Sequence, residues 1–287
     1  MKLEVSSNAR ELALLRAIQK QSESLLAFNA HDPRFAGVFA TQHRWLMAHI
    51  GLALYFRQTS DSGHPEFSAA GFLEAIQHHK VTSRNTAAAF LAEMMKYGIL
   101  TKVPHRRDRR IGVLVPTELT IEAFIAWVKI HLATLDRLDG GRRGEINLTV
   151  ERLSRFQPLV AEGLLQNSLI RQPPPALTHF MSVNNGFLIM ERLIHCVETR
   201  DDRQGRCQTS LRSIQDVVSG FRLSRSHSAR KIGEGEALGI VGWDGAKGRS
   251  NIWVSTDFVD SFLLQQKVKL SIIDKAFAQQ VHSGARC

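Results

Sequence analysis

Apolar positions recur at helical spacing along most of the chain. The longest apolar stretch, residues 45–56, runs 12 residues with His49 inside it. It predicts a buried helix, well short of the roughly 20 residues that cross a bilayer. From Ser68 the segment SAAGFLEAIQHH puts Phe72, Leu73 and Ile76 on one side of a short helix. Thr82 or Ser83 then offers an N-cap for a second helix over 84–97. Ala88, Leu91 and Met95 are its expected buried side, and Gly98 stands where a left-handed residue ends a helix. Two helices across a tight turn predict a helix-turn-helix.

Beyond Gly98, two β-prone segments, Ile99-Leu-Thr-Lys-Val103 and Ile111-Gly-Val-Leu-Val115, flank a polar tip. They read as a hairpin, and a hairpin directly after a helix-turn-helix is a wing. A long closing helix opens at Thr117, with Glu118 in the first turn complementing the macrodipole. Its stripe of Ile121, Phe124, Ile125, Val128, Leu132, Leu135 and Leu138 exceeds what a small winged domain covers. Part of it is expected against another long helix, from the other half or from another chain.

The pattern then repeats. Residues 83–100 over 224–241, an offset of 141, match at Ser83/Ser224, Arg84/Arg225, Ala88/Ala229, Glu93/Glu234, Gly98/Gly239 and Ile99/Ile240. Average composition supplies roughly one or two identities over such a span. Upstream, Phe39 pairs with Phe180 ahead of the apolar runs HRWLMAHIGLALYF and NGFLIMERLIHCV. Leu12, Leu15 and Ile18 have counterparts in Leu153, Phe156 and Leu159, so each half begins with a helix of its own. Downstream, after a two-residue deletion, Val115-Pro-Thr-Glu118 matches Val254-Ser-Thr-Asp257. The expected architecture is mainly α with small β-hairpins: two winged helix-turn-helix domains plus long packing helices, in a pseudo-twofold duplication. The halves are residues 1–138 and 146–287, joined over 139–145 by a glycine-rich, charged segment with the composition of a flexible joint.

Composition adds class and partner. With 44% apolar and 22% charged residues the chain is ordinarily globular. The net charge of +10, divided as +5 in each half, favours a polyanionic partner, with nucleic acid foremost. Three cysteines, Cys196, Cys207 and Cys287, without CxxC spacing give neither a disulfide framework nor a zinc site and fit a reducing cytoplasm. The N-terminal segment has acidic residues and amphipathic spacing in place of a signal peptide. Among 12 histidines no HxxxH or paired Cys/His spacing occurs, so no metal is expected. Gly233-x-Gly235-x-x-x-Gly239 has the wrong spacing for a nucleotide loop, and no nucleophile elbow or Walker lysine is present. No cofactor and no enzymatic activity are expected.

Val81-Thr-Ser-Arg-Asn-Thr86, Met95-Lys-Tyr-Gly-Ile-Leu100 and above all Arg106-Arg-Asp-Arg-Arg-Ile111 leading to Leu114-Val-Pro-Thr117 carry a family likeness. Over roughly residues 40–138 the chain resembles the MarR-type winged-helix transcription regulators. Thr120 departs from the glycine common at that place in the family. The resemblance implies double-stranded DNA as partner, two reading heads gripping half-sites about one helical turn apart, and a chain that is either a monomeric pseudo-dimer or a homodimer. It also implies a small aromatic effector, for which Trp45, Trp127 and Phe124 could line a pocket, although core packing is the reading their composition favours.

The DNA-binding candidates are Ser83, Arg84, Asn85 and Thr86 at the start of the first recognition helix, from which arginine can reach guanine and asparagine adenine. Arg106, Arg107, Arg109 and Arg110 on the first wing suit phosphates or a narrow minor groove. Arg225, Ser226 and His227, with Lys247 and Arg249 on the second wing tip, are the counterparts. Interior Gly233 and Gly235 weaken the second recognition helix, so the first half is expected to dominate affinity. The leading reading is a DNA-binding transcription regulator. A plasmid-type replication initiator and a protein-interaction module that no longer touches DNA are the alternatives.

Overall fold

The computed structural model describes residues 2–39, 41–60, 67–104, 112–183, 185–220 and 225–284; for 2–8, 34, 36, 58–60, 225 and 281–284 it describes the backbone alone. The elements are α1 (Lys2–His31), α2 (Pro33–Val38), α3 (Gln42–Ser60), α4 (Ala69–His78), α5 (Arg84–Lys96), β1 (Leu100–Pro104), β2 (Gly112–Pro116) and α6 (Glu118–Asp139). After a 3₁₀ turn (Arg143–Glu145) come α7 (Val150–Gln166), α8 (Ser168–Arg171), α9 (Pro175–Met181), α10 (Gly186–His195), β3 (Val197–Asp201), β4 (Arg206–Thr209), α11 (Ile214–Val218), α12 (Arg225–Ala237), β5 (Val241–Trp243), β6 (Ile252–Ser255) and α13 (Thr256–Gly284). The chain is mainly helical, with small antiparallel sheets. No helix among the described residues is long and apolar enough to cross a membrane.

Local chemistry sets the ends of these elements. Ser83 caps α5, its hydroxyl accepting from the Thr86 amide at 3.2 Å. The helix stops in a Schellman turn: Gly98, at φ 68°, donates to the Met95 carbonyl, and Ile99 donates to that of Met94. α12 begins 141 residues after α5, has the same length of 13 residues, and ends the same way, with Gly239 at φ 70° donating to Glu236 and Ile240 donating to Gly235. α6 follows Thr117, whose hydroxyl donates to the Gly98 carbonyl at 3.0 Å, while buried Thr120 donates to Ile99 at 2.8 Å. The threonine at 120 thus stitches the helix start to the first strand.

β1 and β2 pair in register from Leu100↔Pro116 to Pro104↔Gly112. The second sheet has four strands in the order β3-β4-β6-β5. β3 and β4 form a hairpin that the sequence reading missed. Its signal was the alternation in RCQT after a turn closed by Gly205, at φ 65°.

Two side-chain expectations need correction. α5 buries Ala87, Phe90, Leu91 and Met94, and leaves Ala88 and Met95 exposed. Phe90, stacked on Phe72 at 6.5 Å with the Arg44 guanidinium over its ring, turns the helix by one position relative to the expected face. On α6, Phe124, Val128, Leu132 and Leu135 are buried as expected, but Leu138 is exposed in the last turn.

The chain divides into two compact units, each assembled from three segments. One comprises residues 1–41, 133–141 and 172–268; the other comprises 42–132, 142–171 and 269–287. Each therefore combines pieces of both sequence halves. In the first unit α1 packs on α10, burying Ala17, Ile18, Leu25 and Leu26. In the second, α7 packs along α3 and buries Leu153, Phe156, Val160, Ala161, Leu164 and Leu165. The 139–145 segment is hydrogen-bonded throughout: Gly140 donates to Asp136, Gly141 to the Asp139 carboxylate, and Arg143 pairs with Asp274 at 2.8 Å.

Because each unit needs both sequence halves, cutting the chain at an engineered protease site between Gly140 and Gly141 should leave the fragments associated. Size-exclusion chromatography of the cleaved protein is expected to give one peak holding both fragments; two separately eluting folded fragments would contradict the division.

Candidate nucleic-acid interface

In the second unit α4 leads to α5 through a turn in which Val81 donates to the Ile76 carbonyl and Lys80 takes a left-handed φ of 51°. The turn is held from α8, where Arg171 donates to the Lys80 carbonyl at 3.2 Å. Ser83, Arg84, Asn85 and Thr86 all lie exposed at the start of α5. There the unpaired amides and the helix dipole favour an anion. Among the described residues Arg84 reaches the neutral amide of Gln77, at 3.4 Å, a contact that does not match its charge. The rotation of α5 places Ala88, Ala89 and Ala92 on the exposed face beyond Asn85. Such small side chains allow close approach of a partner. Glu93, the acidic residue of this helix, pairs at 2.5 Å with Arg44 of α3.

Arg106, Arg107, Arg109 and Arg110 lie outside the described residues, as does Ile111; β1 and β2 lead to and from them.

The first unit carries the counterpart elements. Ser213 and Asp216 form a capping box at the start of α11. Ser224 lies outside the described residues, and of Arg225 only the backbone is described; Ser226 is exposed and His227 half-buried. Gly235 has a packing reason: a Cβ there would sit 3.2 Å from the Phe180 ring, so the residue that weakens the helix also lets it close on α9. Arg249 is exposed at the β5–β6 tip. Lys247 is exposed but engaged, pairing with Glu236 of α12 at 2.5 Å and lying 5.1 Å from the centre of the Trp243 ring. Arg230 and Lys231 pair with opposite oxygens of Glu234 at 2.9 and 2.7 Å. These α12 ion pairs were not singled out from the sequence, although Arg230 and Glu234 stand at the i,i+4 spacing that brings side chains together.

Trp45, Phe124 and Trp127 do come together in the second unit. Phe124 and Trp127 stack at 6.0 Å, and the His49 ring lies 4.7 Å from Trp45 and 5.1 Å from Trp127. The Gln157 amide, reaching from α7, donates to His49 Nδ1 at 3.1 Å and to the His49 carbonyl at 3.2 Å. His131 uses Nδ1 on the Trp127 carbonyl at 2.8 Å. The ring contacts are those of a packed aromatic cluster. Among the described residues no group of three His, Cys, Asp or Glu could hold a metal ion.

Set beside known proteins, the chain matches no family model, no curated relative and no solved structure.

Burial, reinforced by the Lys269 charge, pushes His49 from an ordinary 6.5 down to about 3, and His131 well below its ordinary range. Both are neutral in the fold. Protonation is therefore favoured in the unfolded chain, and stability is lost as pH falls below 6.5 toward 3. For His49 alone the loss between about pH 7 and pH 5 is about 2 kcal/mol. Urea unfolding should show a plateau above neutrality and this decline below it, with a shallower decline in His49→Gln. An equal slope in the variant would mean that His49 is not the titrating group.

Proposed function

We propose that the chain is a sequence-specific DNA-binding transcription regulator, built as two winged helix-turn-helix modules related by duplication. The observation that carries this reading is the exposed quartet Ser83, Arg84, Asn85 and Thr86 on the first turn of α5, immediately before a hairpin with four arginines in its tip sequence. A capped helix that offers a guanidinium and an amide from its N-terminal turn, with small residues along the same side, has the side-chain chemistry of major-groove recognition. The neighbouring arginines have that of phosphate contact. Duplication is supported by the matched α5 and α12, which share offset, length and terminating turn, each followed by a hairpin strand pair and a long helix. The likeness to MarR-type regulators, and a charge of +10, point the same way.

Selection of binding sites from random duplexes, followed by mobility shifts, tests the reading. Alanine at Arg84 or Asn85 should cost about 1–3 kcal/mol per lost bidentate contact at particular bases, whereas alanine at Arg107 or Arg109 should weaken all sequences alike. Neutralising about 6–10 phosphates would lower affinity about 10³- to 10⁵-fold between 50 and 200 mM salt. A response flat in salt would remove the DNA reading.

A further inference from the structure

The two reading heads differ in what their cations do. On α12 a single carboxylate, Glu234, occupies both Arg230 and Lys231, one on each oxygen. A second, Glu236, holds Lys247 on the hairpin tip at 2.5 Å, with the Trp243 ring beneath the ammonium. On α5 the position matching Glu234 is Glu93, which is turned to Arg44 of α3, while among the described residues Arg84 contacts the neutral amide of Gln77. The position matching Glu236 is Met95.

Exposed pairs of this kind contribute little to stability. Their effect on a polyanion is larger, because opening a pair to free the cation leaves the carboxylate in place. Each of the three cations lies 2.5 to 2.9 Å from a carboxylate oxygen, far inside the Debye length of about 10 Å at 0.1 M salt, so a phosphate that approaches any of them also meets a negative charge. Resting on the DNA-binding reading above, we propose that Glu234 and Glu236 act as built-in substitutes for phosphate: they occupy Arg230, Lys231 and Lys247, suppress backbone binding by the second head, and leave the first head to decide where the chain binds. The second head then adds discrimination through Ser226, His227 and Arg249 without holding the chain on arbitrary sequence.

The test is the full chain carrying Glu234→Gln and Glu236→Gln, measured by fluorescence anisotropy on a scrambled duplex over a salt series. Freeing three cations should steepen the slope of log affinity against log salt by about 2 to 3, so that the loss between about 50 and 200 mM grows more than tenfold relative to the parent chain. Arg230→Gln should change parental affinity less than about twofold, and should cancel about a third of the gain when added to the double variant. Glu236→Gln alone, which leaves the α12 pairs intact, should steepen the slope by about 0.9. If the parent binds DNA and loses specificity on Arg84→Ala, yet the glutamine variants keep its slope, the proposal is overturned and the DNA reading stands. A parent that binds no duplex at low salt overturns both.

Discussion

The docking of α7 along α3, and of α1 along α10, is the constraint on which the rest depends. Each of these long helices covers an apolar surface that its unit's other elements leave open, and each comes from the opposite sequence half. The buried apolar side chains of α7 represent on the order of 10 kcal/mol of transfer free energy, an upper estimate because the unfolded chain is itself partly collapsed. Without α7 the aromatic cluster around His49 would lose both its polar partner and a wall. Without α1, the carbonyls at the end of α10 would lose Gln19, whose amide donates to Val197 at 2.7 Å and to Ile194 at 3.3 Å.

The two interfaces are labelled by different polar pairs. α7 brings Gln157 to His49; α1 brings Ser22 to the buried Glu191 at 2.5 Å and Gln21 to Gln266 at 3.0 Å. At the 141-residue offset the counterparts are dissimilar: Arg16 for Gln157, Gly163 for Ser22, Ile50 for Glu191 and Met190 for His49. Docking each helix in its own half would separate Gln157 from His49 and deprive the Glu191 carboxylate of the Ser22 hydroxyl. A buried polar group left without its partner costs about 1–3 kcal/mol, more when charged. The polar pairs therefore disfavour the alternative pairing, while different apolar side chains, Ala17, Ile18, Leu25 and Leu26 on α1 and Leu153, Phe156, Val160, Leu164 and Leu165 on α7, supply most of the adhesion.

What was legible in the sequence is what local chemistry decides. Ser83, Gly98 and Thr117, with Gly239 and Thr256 in the second half, mark element ends because capping and left-handed turns act over a few residues. The rotation of α5 was not legible: with Ala87, Ala88, Ala89 and Ala92 on three sides, its apolar pattern fits two faces nearly equally, and only the stacking of Phe90 on Phe72 decides between them. Helix exchange was hidden for a different reason. Gln19 and Val197 stand 178 residues apart, and no periodicity within either segment encodes the pairing. The extended strand β4 was missed because its pairing with β6, through Cys207↔Val254, bridges 47 positions.

α5 and α12 differ in ways that follow from the neighbours each helix packs against. Phe90 on α5 fills the space beside α4, so that Glu93 is left at the edge facing Arg44. At the matching position α12 has Lys231, half-buried, whose carbonyl accepts from His179 of α9 and whose ammonium turns back to Glu234. Gly235 lets α12 approach the Phe180 ring closely, and Glu234 pairs with a cation of its own helix. The glutamate at matching places in α5 and α12 thus pairs with Arg44 of α3 in one unit and with Arg230 and Lys231 of its own helix in the other.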